Sequence, residues 1–173
     1  MKSTEKEVLL ERDELIVSKT DLTGKITYAN RVFMRVSNYS ETELLNKPHS
    51  LIRHDDMPRG VYYGLWKTIK AGNEFFGFVK NLTSDGNFYW VFANVTPDYK
   101  NQKMVGFYSV RRHPPRSALA DVSTLYKKMR EIEQGCSVAD APKTSWKWLL
   151  DYCQTNAGMT YETFILSHYQ AHL

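Results

Sequence analysis

The chain has 173 residues, 42% hydrophobic and 13% aromatic, enough for one ordinary core with roughly 50 residues to spare. That apolar content excludes a disordered chain, and 9 Gly with 6 Pro exclude collagen or a low-complexity linker. The formal charge of +4 lies in residues 1–116, at +5 against −1 for 117–173, with only Arg111, Arg112, His113 and Arg116 clustered, so no concentrated phosphate-binding stripe exists and no nucleic-acid partner is expected.

The N-terminus, MKSTEKEVLLERDE, is charged throughout and lacks the apolar centre of a signal peptide. No apolar run approaches the ~18–20 residues of a membrane span, so direct membrane insertion is not expected. Two cysteines, Cys136 and Cys153, are too few for a disulfide scaffold or a cysteine zinc site, which makes a reducing, cytoplasmic setting the expectation. Val8, Leu9 and Leu10 among the charges of 4–14 read as a short amphipathic cap helix within residues 1–14.

Leu15–Thr20 is a β-type run, Asp21-Leu22-Thr23-Gly24 a turn, and Lys25–Ala29 an alternating strand, together a first hairpin. Asn30 is placed to cap Arg31–Ser37, and Ser40-Glu41-Thr42-Glu43 is a capping-box pattern opening another short helix. Asp55 or Asp56 before Pro58 reads as the cap of a longer helix with Val61, Tyr62, Leu65, Trp66 and Ile69 on one face and Gly72 at its end. The period then changes to two. Glu74–Leu82, Phe88–Tyr99 (interrupted at Pro97) and Met104–Arg111 make a three-stranded meander joined by turns at Ser84–Asn87 and Lys100–Lys103. Pro114-Pro115 closes the unit. Leu119, Val122, Leu125, Met129 and Ile132 form a narrow helical stripe, Gly135–Thr144 reads as a linker, and Trp146–Cys153 and Tyr161–Tyr169 give two more helical faces. The expected organisation is a cap helix at 1–14, a sensor domain at 15–114, a connector helix at 115–134 and a helical pair at 145–173.

Two strands, short helices, one longer helix and three strands is the order of a PAS domain. Asp21–Asn30 resembles the opening hairpin of that family, and Lys80–Val91 its central hairpin. Pro48-His49-Ser50-Leu51-Ile52-Arg53-His54-Asp55-Asp56-Met57-Pro58, Gly77–Asn81 and Trp90–Pro97 resemble the aerotaxis-receptor type within it, over about residues 12–133. The resemblance implies an α+β PAS fold, a five-stranded antiparallel sheet with helices over one face, here with a C-terminal helical extension. It also implies noncovalently bound FAD (FMN or haem being the less favoured cofactors), a redox or oxygen sensor for aerotaxis signalling, a homodimer, and no enzymatic activity.

A flavin needs an apolar slot, amides for its pyrimidine edge and cations for its pyrophosphate. On the resemblance, Trp66 and Phe75 flank the ring, Asn81 and Asn94 pair with the pyrimidine edge, and Arg53 contacts a phosphate or a flavin carbonyl. His54, Asp56 and Trp90 complete the candidate cofactor-binding set. Each has a plainer role: Trp66 as core, Asn81 as a hairpin cap, Asp56 as a helix cap, His54 as a surface or capping group. Phe75 stands where related sequences carry Trp. The stretch Asn46-Lys47-Pro48-His49 lacks the cysteine that light-sensing flavin PAS domains require, so cysteinyl-adduct photochemistry is excluded.

No catalytic triad, P-loop or dinucleotide-binding glycine pattern occurs. The alternatives are a haem sensor with His49 or His54 as axial ligand, and a cofactor-free PAS dimerisation module. Receptors of the aerotaxis type continue into a membrane anchor and a transducer coiled coil, neither of which this sequence displays. The expectation is a sensor fragment or a stand-alone sensor in which reduction rearranges hydrogen bonds from Asn81, Asn94 and Arg53, and the sheet shifts the 117–133 helix toward a partner or dimer surface.

Overall fold

The computed structural model describes residues 6–171. Five strands, β1 (Leu15–Asp21), β2 (Ile26–Ala29), β3 (Phe75–Leu82), β4 (Phe88–Lys100) and β5 (Lys103–Arg112), form one antiparallel sheet in the order β2-β1-β5-β4-β3. The helices are α1 (Arg31–Ser37), α2 (Glu41–Leu44), α3 (Arg59–Lys70), α4 (Arg116–Gln134), α5 (Ala141–Ala157) and α6 (Tyr161–Gln170), with a 3-10 turn over His49–Ile52. The chain divides into two compact units. One holds the sheet, α1, α2 and the 3-10 turn, running to His54 and resuming over Ile69–His113. The other joins Asp55–Thr68, most of α3, to the helices that follow Pro114.

In the first unit, local chemistry sets the elements. The Asp21 carboxylate accepts the N–H groups of Thr23 (2.8 Å) and Lys25 (3.0 Å), and Gly24 takes φ +87° to close the β1–β2 turn. Asn30 caps α1 by accepting the Phe33 N–H (3.0 Å), and the same amide oxygen accepts the Val17 N–H (3.1 Å), fastening α1 to β1. Glu43 reaches back to the Ser40 N–H (2.8 Å) at the start of α2. Asn101 (φ 51°) and Gln102 (φ 64°) form a tight two-residue turn between β4 and β5.

Two expectations for this unit are corrected. Residues 1–5 of the expected cap helix lie outside the described residues, and residues 6–14 contain no helix. Glu7 bridges Phe88 instead, with Val8 N–H donating to the Phe88 carbonyl (2.7 Å) and Phe88 N–H to the Lys6 carbonyl (3.0 Å). The unsatisfied backbone of the β4 start supplies partners that a single apolar turn of isolated helix does not. Nor does Pro97 interrupt β4. It pairs with Phe107 two residues beyond Val95, the last β4 partner of β3, where β4 has only one neighbouring strand.

In the second unit, α3 begins at Arg59. Its first N–H groups, of Arg59 (3.1 Å) and Gly60 (2.8 Å), donate to the carboxylate of Glu133 on α4. Asp56 pairs with Arg130 (3.2 Å). The expected linker is also shorter: α5 starts at Ala141, because Pro142 in a first helical turn lacks an N–H that would have been unsatisfied anyway. Trp146 of α5 packs edge-on to Tyr161 of α6 (centroids 4.8 Å apart), and Tyr152 edge-on to Phe164 (6.2 Å). Among the described residues no helix is long and apolar enough to cross a membrane.

Candidate functional site

Directly paired residues of an antiparallel sheet point to the same face, so register sorts the candidates. Asn81 faces Tyr89, Val79 faces Val91, Gly77 faces Ala93 and Phe75 faces Val95. Ala93 in turn faces Arg111, and Arg111 faces Ile16. Phe75, Val79, Asn81, Tyr89, Val91, Ala93, Ile16 and Arg111 therefore line one face. Residues of α1 and the 3-10 turn lie on it: the Arg111 guanidinium sits over the Phe33 ring (4.4 Å), and His49 stacks on Phe33 (6.0 Å). This is the inner face of the first unit, and Asn81 and Phe75 are 3% and 2% exposed on it.

Trp90 and Asn94 occupy the alternate positions of β4, facing Lys80 and Phe76, and so belong to the opposite face. The expectation that Asn81 and Asn94 pair with one pyrimidine edge is thereby corrected. Asn94 lies five positions beyond Tyr89, the partner of Asn81. An odd step along a strand reverses the side chain. The Asn94 amide instead approaches the Glu74 carboxylate at 3.5 Å.

Arg53 follows the 3-10 turn and forms an isolated backbone bridge with Asn81, bringing those two candidates together at the edge of β3. His54 is buried and edge-on to Phe88 (6.0 Å). Trp66 and Asp56 belong to the second unit.

The inner face carries a polar cluster of Arg111, Ser18 and His49, of which only His49 is a sequence-derived candidate, as an alternative haem ligand. Arg111 is 2% exposed. Its Nη1 donates to His49 Nε2 (3.2 Å) and its Nη2 to the Ser18 hydroxyl. Burial, and then the adjacent Arg111 charge, push the His49 imidazole down to about 3, so it is neutral and its Nε2 lone pair accepts from the guanidinium. That same lone pair would be needed for His49 to ligate haem iron. Burial lowers Arg111 to about 10, leaving it cationic at neutral pH. The signal for this cluster was the phase of β5: Phe107, Ser109 and Arg111 alternate onto one face, which makes Arg111 an inward charge rather than a member of a surface cluster.

Residues 26–111 match the PAS fold family. The aerotaxis receptor of Escherichia coli strain K12 is 38% identical over 126 residues, 73% of this chain and 25% of the receptor. A nitrogen fixation regulatory protein of Klebsiella pneumoniae is 34% identical over 89 residues, 51% of this chain and 18% of that protein. The chain thus spans a quarter or less of the length of these relatives. Among solved structures, a light-oxygen-voltage domain whose mechanism was addressed with a flavin analogue aligns with a TM-score of 0.54 at 16% identity, covering 68% of this chain and 85% of that one. These relatives are a receptor and a regulatory protein, and that likeness in structure concerns the fold. The strand order and the shared sequence agree: this chain belongs to the PAS family, with a PAS domain of the aerotaxis-receptor type.

Proposed function

We propose that this chain is a flavin-binding redox sensor, that FAD is the flavin, and that its inner face holds the ring. The observation that carries this reading is the composition of that face. An apolar floor of Phe75, Val79, Val91 and Ala93 is interrupted by Asn81 and Arg111, the pattern of a site that buries a flat heterocycle and orients it with a few donors. The 38% identity with the aerotaxis receptor and the fold shared with a domain studied through a flavin analogue support it.

The donor set fits the group. Asn81 offers an amide with donor and acceptor, suited to a pyrimidine edge. Arg53, bridged to Asn81 through its backbone, brings a guanidinium suited to phosphate or carbonyl oxygens. Phe75 supplies an aromatic face at the other end of β3. When bound, a flavin supplies reversible electron acceptance; the residues of this chain bind it, orient it and exclude water. Its state is passed on through the helices after Pro115 to a partner copy or a transducer domain.

The test is an absorption spectrum of the purified protein before and after dithionite. Bands in the near-ultraviolet and blue that bleach on reduction are expected. An intense Soret band, or a preparation that stays colourless after incubation with FAD, overturns the reading.

A further inference from the structure

The β1–β2 and β4–β5 turns stand at one end of the sheet, because Asp21 pairs with Gly106 and Gly106 in turn with Asp98. Beyond Gly106 the hairpin runs on through Val105, Met104 and Lys103, a projection of about 10 Å at the rise of an extended strand. Leu22 and Val105 are the next residues along from the Asp21–Gly106 pair, and Tyr99 stands across from Met104. Leu22 is 47% exposed, Tyr99 53% and Val105 41%. Single exposed apolar side chains need no explanation, but several gathered at one tip mark an interaction site. Lysines flank them. Lys25 ends the first turn, and Lys100 and Lys103 pair directly across the second, all three exposed. Like charges set opposite one another in a hairpin are unfavourable. Among the described residues none of the three is in an ion pair. The carboxylates of this end are engaged, Asp98 with Lys19 (3.1 Å) and Asp21 with the N–H groups of its own turn.

We propose that this tip docks the first unit on the surface of an anionic lipid bilayer, lying on the membrane without crossing it. Leu22 and Val105 enter the boundary between headgroups and acyl chains. Tyr99, an apolar ring with a polar end, suits the boundary itself, and Lys25, Lys100 and Lys103 meet the headgroup phosphates. The reach of the hairpin matches the ~5–10 Å depth of interfacial insertion. A protein partner is the poorer fit. A stable protein interface covers about 800 Å² on each side, which the tip of two turns does not offer, whereas each apolar side chain entering lipid contributes separately. The opposed Lys100–Lys103 pair gains from a surface that presents many anions at once. Docking of this kind does not depend on the flavin reading.

The experiment is co-sedimentation of the full chain with vesicles of phosphatidylcholine, with and without a quarter of phosphatidylglycerol, at low and high ionic strength. The wild type is expected to partition onto the anionic vesicles, weakly onto the neutral ones, and less as salt rises. Reversing the opposed pair, Lys100→Glu with Lys103→Glu, is expected to weaken partitioning roughly tenfold or more. The double variant Lys127→Glu with Lys128→Glu changes net charge equally on α4 and is expected to bind within about a factor of two of the wild type. Leu22→Ser with Val105→Ser is expected to weaken binding several-fold at unchanged salt dependence. All these side chains are exposed, so the melting temperatures without vesicles should stay close to the wild type. A wild-type chain that stays in the supernatant with anionic vesicles overturns the proposal. So does equal loss in the α4 and hairpin charge variants, which would make the attraction one of net charge alone. A wild type that ignores vesicles but self-associates, and becomes monomeric in Leu22→Ser with Val105→Ser, overturns it in favour of a second copy at the tip. Flavin content is read from the same preparations by absorbance, so failure to dock and failure to hold flavin are scored separately.

Discussion

Glu133, in the last turn of α4, holds the start of α3: one carboxylate oxygen accepts the Gly60 N–H at 2.8 Å and the other the Arg59 N–H at 3.1 Å. The first N–H groups of a helix have no intrahelical acceptor, so Glu133 does from another helix what a capping side chain does locally. A carboxylate there also meets the positive end of the helix dipole. Ser145 of α5 donates to the same oxygen as Gly60 (2.6 Å), so three helices of the second unit converge on one side chain.

Glu133→Ala is therefore expected to destabilise the second unit by about 1–3 kcal/mol, the range for leaving hydrogen-bonded donors without an acceptor. The loss should appear as a lower melting temperature and as faster amide exchange at Arg59, Gly60 and Val61. Glu133→Gln, which keeps an acceptor but loses the charge, should fall between. Unaltered exchange at those amides in Glu133→Ala would mean that the cap contributes nothing.

Gly64 tests the same packing from the other side. A Cβ there would lie 2.4 Å from two ring carbons of Trp146. Alanine is the better helix former by about 1 kcal/mol, so at an unobstructed site Gly64→Ala would stabilise. Against a buried indole it should destabilise instead, by about 1–3 kcal/mol. Placing Gly64→Ala in a Trp146→Ala background should abolish that penalty. Equal effects of Gly64→Ala in both backgrounds would show that the indole is not the obstacle.

What could be read from the sequence followed the range of the interactions. Asn30 above α1, Ser40 with Glu43 at α2 and the Asn101-Gln102 turn all act within a few residues, and each was legible. The cap of α3 was not. Glu133 lies 73 residues from Gly60, beyond the reach of any local pattern, and Asp56, the local candidate, pairs with Arg130 on the same distant helix. Residues 6–14 failed for a related reason, since their backbone partners come from Phe88. The site fell between these cases. Phe75 and Asn81 were named as candidates from residue type and resemblance, and the hairpin register puts both on the inner face while carrying Asn94 outward and Arg111 inward. Residue type alone suggested the reverse.

His49 makes stability depend on pH in a defined window. Its imidazole is held at about 3 against an ordinary 6.5 by burial and then by the Arg111 charge. Between those values the unfolded chain binds a proton that the folded chain does not, so stability falls as pH drops below 6.5, by up to ~1.4 kcal/mol per unit, with the full loss reached near 3. Urea unfolding at pH 7, 6 and 5 should show this slope in the wild type and a shallower one in His49→Gln. Parallel slopes would mean that His49 is protonated as readily in the folded chain as in the unfolded one.

The two asparagines give the sharpest separation of inner face from outer. Asn81 is 3% exposed beside the apolar floor, whereas Asn94 points from the opposite face toward Glu74. If the flavin lies on the inner face, Asn81→Ala removes a buried hydrogen-bonding group from its site, and FAD affinity should fall roughly tenfold. Asn94→Ala should leave affinity within about a factor of two of the wild type, because surface substitutions away from the site change free energies by only ~0.5 kcal/mol. Fluorescence titration of the flavin-free proteins measures both. Weakening by Asn94→Ala as large as that by Asn81→Ala would place the ring where both amides reach it, contrary to the register of β3 and β4. A loss in Asn81→Ala alone would locate the flavin on the face that Arg111 shares.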